Sequence, residues 1–568
     1  MKEFAEQSLQ VRQKPLTEGL LRTYLAKAGI KEDTVYALMY IPTYCRRCEI
    51  ALTNFGKMLK EVSPKSKLMI ISVYKDAMAS SNYNKEKEYT ADYYLYDTTN
   101  EYKSIFSLNY RNSLFGTYLM KLDVKNGRMV IGGISNLLST EFVSQMVNFD
   151  KPLEPMTFAN EEMYENQMGE TTAVVSTAKP ISQAFDEYTL VGNSPVSEIY
   201  GTPVFENGTM AFNDQFATGV MLFGQKGKVL EYKGTVRVDS LEKRKYINLS
   251  DESYQHCLRN KSFFYMPRSP LLLNDTTLAV SYSVPNVSET ANEITFYNKP
   301  LVITRDTRTL EKGRIYEINS DMLEKKYMYH HHTLDMIGGR VITGVVKQTW
   351  PMEYKREEYE HNVEMNPFDD RCYDTPSPIA AAFSPADGTV ESRFGHFEDW
   401  QRKTRTGYYF YTFVGTHHGD KLLYGNAYSG RLYMADSSDL TKEERGYTVF
   451  EIDAASLPEP DSTMFYKPEY AAPYSPFFNR LIEVVKMNSD EIVCIVRHKP
   501  HKAAGLRAGA YDVVRIDRRT GERTERSLPS FEGYELLAWG IRREGEKLSP
   551  FAMLKRDGKC TLRVYTGS

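Results

Sequence analysis

Cysteine is scarce: six in 568 residues. That excludes a small disulfide-stapled scaffold, which is short and cysteine-dense. Charge of one sign is lacking too. Lys and Arg total 71 against 74 Asp and Glu, for a formal net charge of -3, so no global field recruits nucleic acid or an acidic membrane. No apolar run approaches the ~20 residues of a membrane-spanning helix, and mean hydropathy is -0.48. The opening residues, Met1-Lys2-Glu3-Phe4-Ala5-Glu6-Gln7, lack the apolar stretch of a secretory signal. Two readings stay open: the chain is cytoplasmic, or a signal or lipid anchor ahead of it has been removed.

What is present is ordinary globular composition, 41% hydrophobic and 26% charged. The length exceeds one core at roughly 100–200 residues per domain, so two unequal domains are expected. Residues 1–34 read as a polar helical extension with Leu20, Leu21, Tyr24 and Leu25 on one stripe. The period then changes. Val35 to Ile41 and Leu68 to Tyr74 are nearly continuous apolar runs, as buried parallel strands are. Between them, Cys48, Ala51, Phe55, Met58 and Leu59 fall on one helical face, with Lys57, Lys60 and Glu61 towards water. Tyr93–Asp97 reads as a short strand. Thr117–Leu122 and Arg128–Ile131 form a predicted hairpin around Lys125-Asn126-Gly127. An amphipathic helix at 137–147 closes a mixed sheet at 35–150.

Residues 151–182 read as an acidic connector. From 183 to 568 short apolar or aromatic runs alternate with turn clusters, among them Val220–Gly224, Val341–Val346 and Tyr511–Asp517. About six four-stranded blades of roughly 45–65 residues each fit this length, so a β-propeller is expected, with a very large sandwich as the other possibility. Lys226-Gly227-Lys228 and Arg518–Arg523 are expected as polar turns between outer strands. The fold class is thus multidomain, α/β followed by all-β.

Chemistry concentrates at Cys45-Arg46-Arg47-Cys48. A thiolate is the nucleophile of disulfide exchange, and two cycling thiols need Cα atoms about 4.4–6.8 Å apart. The first turn of a helix meets both needs. Cys45 lies where unpaired N–H groups favour an anion, with Arg46 and Arg47 adding positive charge, while Cys48 falls one turn later on the shielded face. Cys45 is then the attacking thiol and Cys48 the resolving one. Stabilising the reduced form makes the disulfide the stronger oxidant. The same motif is also half of a zinc site or an inert relic. No second C-x-x-C or His pair lies nearby, so no metal and no cofactor is assigned.

Residues 35–150 resemble the thioredoxin fold, especially periplasmic thioredoxin-like reductases. The likeness rests on Tyr44-Cys45-Arg46-Arg47-Cys48 after an apolar strand, and on Gly116-Thr117-Tyr118-Leu119-Met120 running to Lys125-Asn126-Gly127. It implies thiol-disulfide oxidoreductase activity on a protein client, and a periplasmic or cell-envelope location. Three departures stand out: Tyr44 replaces Trp, Gly116 replaces the cis-proline that precedes Thr117, and Met39 replaces a buried carboxylate. The part from 183 onwards resembles, more loosely, six-bladed propellers of the bacterial cell envelope, which implies a ligand- or protein-binding face. The rival class is a binding or adaptor protein whose thioredoxin-like part is structural.

Elsewhere the plain readings are preferred. Cys494 is expected as a core hydrophobe, His330-His331-His332 as a polar loop or blade edge rather than a metal site, and His417-His418-Gly419-Asp420 as a turn with satisfied side chains rather than a channel mouth. Asp369-Asp370 and Glu357-Glu358 are expected as solvated charge, and Trp350, Trp400 and Trp539 as packing residues.

Overall fold

The chain divides into two compact units, residues 1–165 with 249–264, and residues 166–248 with 265–568. In the first, the computed structural model describes residues 14–15, 30, 34–40, 56, 59–61, 63–73, 91–97, 118–123, 128–132 and 249–259. In the second it describes most of 176–566, leaving out chiefly 193–195, 215–218, 238–244, 320–326, 348–371, 406–410, 458–479 and 499–509.

The first unit holds a six-stranded sheet made of β1 (Lys14–Pro15), β2 (Thr34–Tyr40), β3 (Lys67–Val73), β4 (Tyr93–Asp97), β5 (Tyr118–Asp123) and β6 (Arg128–Gly132). Their order is β1-β6-β5-β2-β3-β4. β2, β3 and β4 run parallel, and β5 pairs antiparallel with both β2 and β6. The continuous apolar runs are buried as expected: Val35, Ala37, Met69 and Ile71 are inaccessible. Asp92 fastens the start of β3, accepting from the Leu68 amide at 2.9 Å and from Lys67 Nζ at 2.9 Å. Leu59 is buried while Lys60 and Glu61 are exposed, the predicted helical faces. Lys14 and Pro15 pair as an edge strand where a helix was expected. Pro has no N–H to give a helix interior but is tolerated at a sheet edge. The expected helix at 137–147 and the Asn126-Gly127 turn lie outside the described residues. A helix unforeseen in the sequence, α1 (Asp251–Arg259), belongs to this unit although it interrupts the second.

Among its described residues the second unit is all-β apart from short helical turns. β7 (Lys179–Pro180) and β8 (Phe185–Val191) precede the first antiparallel sheet, β9 (Ile199–Glu206), β10 (Thr209–Asp214), β11 (Val220–Lys226) and β12 (Val229–Val236). After β13 (Ile247–Asn248) comes a second sheet, β14 (Met266–Asn274), β15 (Thr277–Glu289), β16 (Ile294–Asp306) and β17 (Lys312–Glu317), with β13 parallel to β15. The third is β18 (Tyr327–Ile337), β19 (Arg340–Lys347), β20 (Ala380–Phe383) and β21 (Val390–Phe394). A short helix, α2 (Asp399–Lys403), leads to the fourth, β22 (Phe413–His418), β23 (Lys421–Asn426), β24 (Arg431–Asp436) and β25 (Asp439–Thr448). The fifth is β26 (Arg480–Met487), β27 (Glu491–His498), β28 (Tyr511–Asp517) and β29 (Arg523–Ser527), extended by β7. β30 (Glu535–Glu544), β31 (Lys547–Arg556) and β32 (Lys559–Tyr565) take β8 as their fourth strand, so the first full strand completes the last sheet.

The opening strands of the six sheets, β9, β14, β18, β22, β26 and β30, neighbour one another in a ring. Short parallel pairings, Val229–Glu231 with β8 and Arg542–Arg543 with β9, join the first and last sheets into a closed circuit of eight strands. Apolar clusters fill the spaces between successive sheets. One gathers Val484, Val493 and Ile495 of the fifth sheet against Trp539, Ala552 and Leu554 of the sixth.

The predicted turns hold. Gly227 takes φ +62° between β11 and β12. Asp517 Oδ1 accepts from the amides of Arg519 at 2.9 Å and Thr520 at 2.6 Å before β29. Cys494 is inaccessible, and burial pushes its thiol far above the ordinary range.

Candidate functional site

The sequence nominates Cys45 and Cys48, with Tyr44, Arg46, Arg47, Gly116 and Thr117 around them. All seven lie outside the described residues. Their local frame is described. Cys45 follows the carboxyl end of β2, which lies between parallel β3 and antiparallel β5. Thr117 directly precedes β5, whose Tyr118 pairs with Met39 near that same end of β2. Loops at the carboxyl ends of parallel strands are where open α/β sheets carry their chemistry. The other thiols of known placement, Cys372, Cys494 and Cys560, are buried.

A second constellation was missed in the sequence. At the carboxyl ends of the ring strands of the second unit, charged side chains from five different sheets converge. Lys486 on β26 donates to Glu206 Oε1 on β9 at 2.5 Å, with side chains only 12% and 13% exposed. His417 Nδ1 on β22 lies 2.6 Å from Asp335 Oδ1 on β18, whose side chain is 2% exposed. Arg543 on β30 donates to the Met487 carbonyl at 2.7 Å. Burial pushes the Glu206 carboxyl up, but Lys486 and Arg543 outweigh it and hold the group below its ordinary value. The Asp335 carboxylate draws the His417 imidazole above its ordinary value against burial and the repulsion of Lys486 and Arg543. His418 points to Glu546 at 3.7 Å, and burial lowers its affinity for a proton.

Two cations, two carboxylates and one imidazole thus meet in a region of low dielectric, where opposite charges couple strongly. Among the described residues no hydroxyl or thiol is hydrogen-bonded to His417, so the pair lacks the nucleophile of a triad. His417-His418-Gly419-Asp420 is indeed a strand end and turn, with Gly419 at φ +61°. Its first histidine is satisfied by Asp335, 82 residues away. His330, His331 and His332 lie in β18, an edge strand, across a break in register with β19. Among the described residues no group of three His, Cys, Asp or Glu side chains is placed to hold a metal. Asp369, Asp370, Glu357, Glu358 and Trp350 lie outside the described residues.

The His417–Asp335 pair makes stability depend on pH. A histidine whose folded value is raised stabilises fully below its unfolded value of about 6.5 and loses that contribution as pH climbs through the raised one. His417→Gln is therefore expected to lower the melting temperature most in mildly acidic buffer and progressively less as pH rises. A smaller, pH-independent part remains because Asp335 loses its partner. Melting curves of both proteins across pH check this, and a gap that widens with pH contradicts it.

No known protein family matches the chain, nor does any curated protein by sequence. Among solved structures it is similar to a luciferin-regenerating enzyme at 10% identity and TM-score 0.33, over 67% of this chain and 96% of that one. It is similar to Trypanosoma rangeli sialidase at 10% identity and TM-score 0.35, over 69% of this chain and 59% of the sialidase. Over 21% of this chain and 78% of the other, at 14% identity and TM-score 0.18, it is similar to a candidate thiol-disulfide oxidoreductase from Bacteroides vulgatus.

Proposed function

We propose that the chain exchanges thiols and disulfides with a protein client through Cys45 and Cys48, in a thioredoxin-like first unit. In this reading the second unit is a six-bladed β-propeller that receives the client or a ligand, and the protein works in the cell envelope. One observation carries the chemistry: the C-x-x-C follows the carboxyl end of β2, in a sheet where β2 runs parallel to β3 and antiparallel to β5. A helix starting there would put the motif's first thiol among unpaired amides. The six-blade reading rests on the ring of first strands and on β8 completing the sheet of β30–β32.

The exchange would run in two steps. The Cys45 thiolate attacks a client disulfide, forming a mixed disulfide and expelling one client thiolate. The Cys48 thiolate then attacks Cys45 Sγ, closing the Cys45–Cys48 disulfide and releasing the second client thiol. Two electrons pass from the dithiol to the client. The reverse sequence oxidises a client dithiol.

Replacing Cys48 by Ser removes the second step. Cys48→Ser is expected to accumulate a client joined to Cys45, seen as a band shifted on a non-reducing gel and lost on reduction. Cys45→Ser should show no such band and no reduction of insulin. Activity unchanged in Cys45→Ser would leave the adaptor reading in its place.

A further inference from the structure

At the opposite end of the fourth sheet from the ionic cluster, three connections close around a cavity of about 540 Å³. They are the segment carrying α2, the β23–β24 hairpin, and the segment after β25. The volume is within the range of small-molecule sites.

Its acidic lining is Glu398, Asp399 and Glu451, and its basic lining is Lys403 and Arg431. Phe450, Ile452, Ala454 and Ala455 supply apolar wall, and Trp400, half-buried, adds a second aromatic.

Glu398 is the built part of the site. The residue is 7% exposed, and its Oε1 accepts a hydrogen bond from the Tyr433 hydroxyl. Its backbone N–H donates to Gln401 Oε1 at 3.0 Å, which fixes the entry to α2. Tyr433 lies 5.0 Å from the His396 ring. His396 Nδ1 is 3.1 Å from Glu443, and Glu443 accepts from the Tyr424 hydroxyl at 3.1 Å. A chain of aromatic and acidic groups therefore positions this carboxylate. Arg431 Nη1 stands 3.7 Å from its other oxygen and is half exposed.

The sign pattern selects the ligand. Both signs line one cavity in nearly equal number, so a small ion of either charge meets repulsion as well as attraction. A neutral molecule bearing several hydroxyls escapes this conflict. Each hydroxyl donates to a carboxylate and accepts from a guanidinium or ammonium, and its C–H faces pack on the aromatic wall. We propose that this cavity binds an uncharged polyhydroxylated ligand, a neutral sugar, with Glu398 and Arg431 as the polar pair that orients it. This site is independent of the thiol chemistry at Cys45.

The test uses the full chain and saturation-transfer NMR with glucose, galactose, mannose, xylose and N-acetylglucosamine as probes, and acetate and putrescine as charged comparators. At least one neutral sugar should give saturation transfer. Its affinity should fall about tenfold or more in Glu398→Gln, which weakens a charge-assisted hydrogen bond, and also in Trp400→Ala, which lies on a half-exposed wall. His417→Gln, at the other end of the sheet, should leave it unchanged. If Glu398→Gln fails to fold, Trp400→Ala and Arg431→Met carry the test. Binding of no sugar, binding only of the charged comparators, or sugar binding insensitive to the lining variants overturns the proposal. Loss of sugar binding with intact client capture, or the converse, tells failure here apart from failure of the thiol reading.

Discussion

Lys486→Ala is expected to destabilise the second unit by about 3–5 kcal/mol, the cost of stripping one partner from a buried ion pair. The pair is nearly dry, with Glu206 13% and Lys486 12% exposed. Without Lys486, the Glu206 carboxyl keeps Arg543 nearby but loses its hydrogen bond, and burial then pushes it towards the protonated form. The double replacement Glu206→Gln with Lys486→Met should recover most of the loss, because neither side leaves an unpaired charge. Urea unfolding of Glu206→Gln, Lys486→Met and their double closes the thermodynamic cycle. A loss in the double equal to the sum of the two single losses would show that the ions do not couple.

Trp539→Ala is expected to cost a similar ~3–5 kcal/mol by a different route, the cavity a large core aromatic leaves. Trp539 is 1% exposed and its ring centroid lies 5.6 Å from Phe531, 5.9 Å from Tyr565 and 6.0 Å from Tyr511. It joins the fifth and sixth sheets. Its Nε1 is buried without a hydrogen-bond partner, so Trp539→Phe removes an unpaired donor along with part of the ring. Trp539→Phe should therefore lose much less than Trp539→Ala. The midpoint of urea unfolding reports both, and a phenylalanine variant as unstable as the alanine one would show that the ring volume it retains does not hold the two sheets together.

Much of the architecture could be read from periodicity. The strands at 35–41, 68–74, 93–97 and 511–517 stand within a residue or two of their expected places, because continuous apolar runs between turn residues leave few alternatives. Cys494 and Trp539 were legible as core. The cavity was not: Trp400, expected to pack in or between the blades, is half-buried in α2 and also lines a cavity, since an aromatic in a short helical connection has the same local signature as one in the core. The repeat was also faintly present. Asp306-Thr307-Arg308-Thr309 and Asp517-Arg518-Arg519-Thr520 make the same side-chain-capped turn between third and fourth strands. Two four-residue matches some two hundred residues apart do not announce themselves without the strands around them.

The ionic cluster was illegible for a physical reason. Glu206, Asp335, His417, Lys486 and Arg543 come from five sheets, and each alone looks like ordinary charge at a strand end. Only closure of the ring brings them together, and their pairing follows geometry rather than spacing. Glu398 was hidden in the same way, its neighbours Arg431 and Tyr433 lying beyond an intervening strand pair. The C-x-x-C motif is the reverse case, a spacing legible in four consecutive residues.

The joining of β8 to β32 has a consequence for biosynthesis. Phe185–Val191 leaves the ribosome long before Lys559–Tyr565, the segment against which it must lie. Until Lys559–Tyr565 has been made the circuit stays open, and five sheets wait with an unlatched edge that holders or proteases can reach. Loss of Lys559–Tyr565 alone therefore acts on the whole second unit, because the missing piece is its clasp.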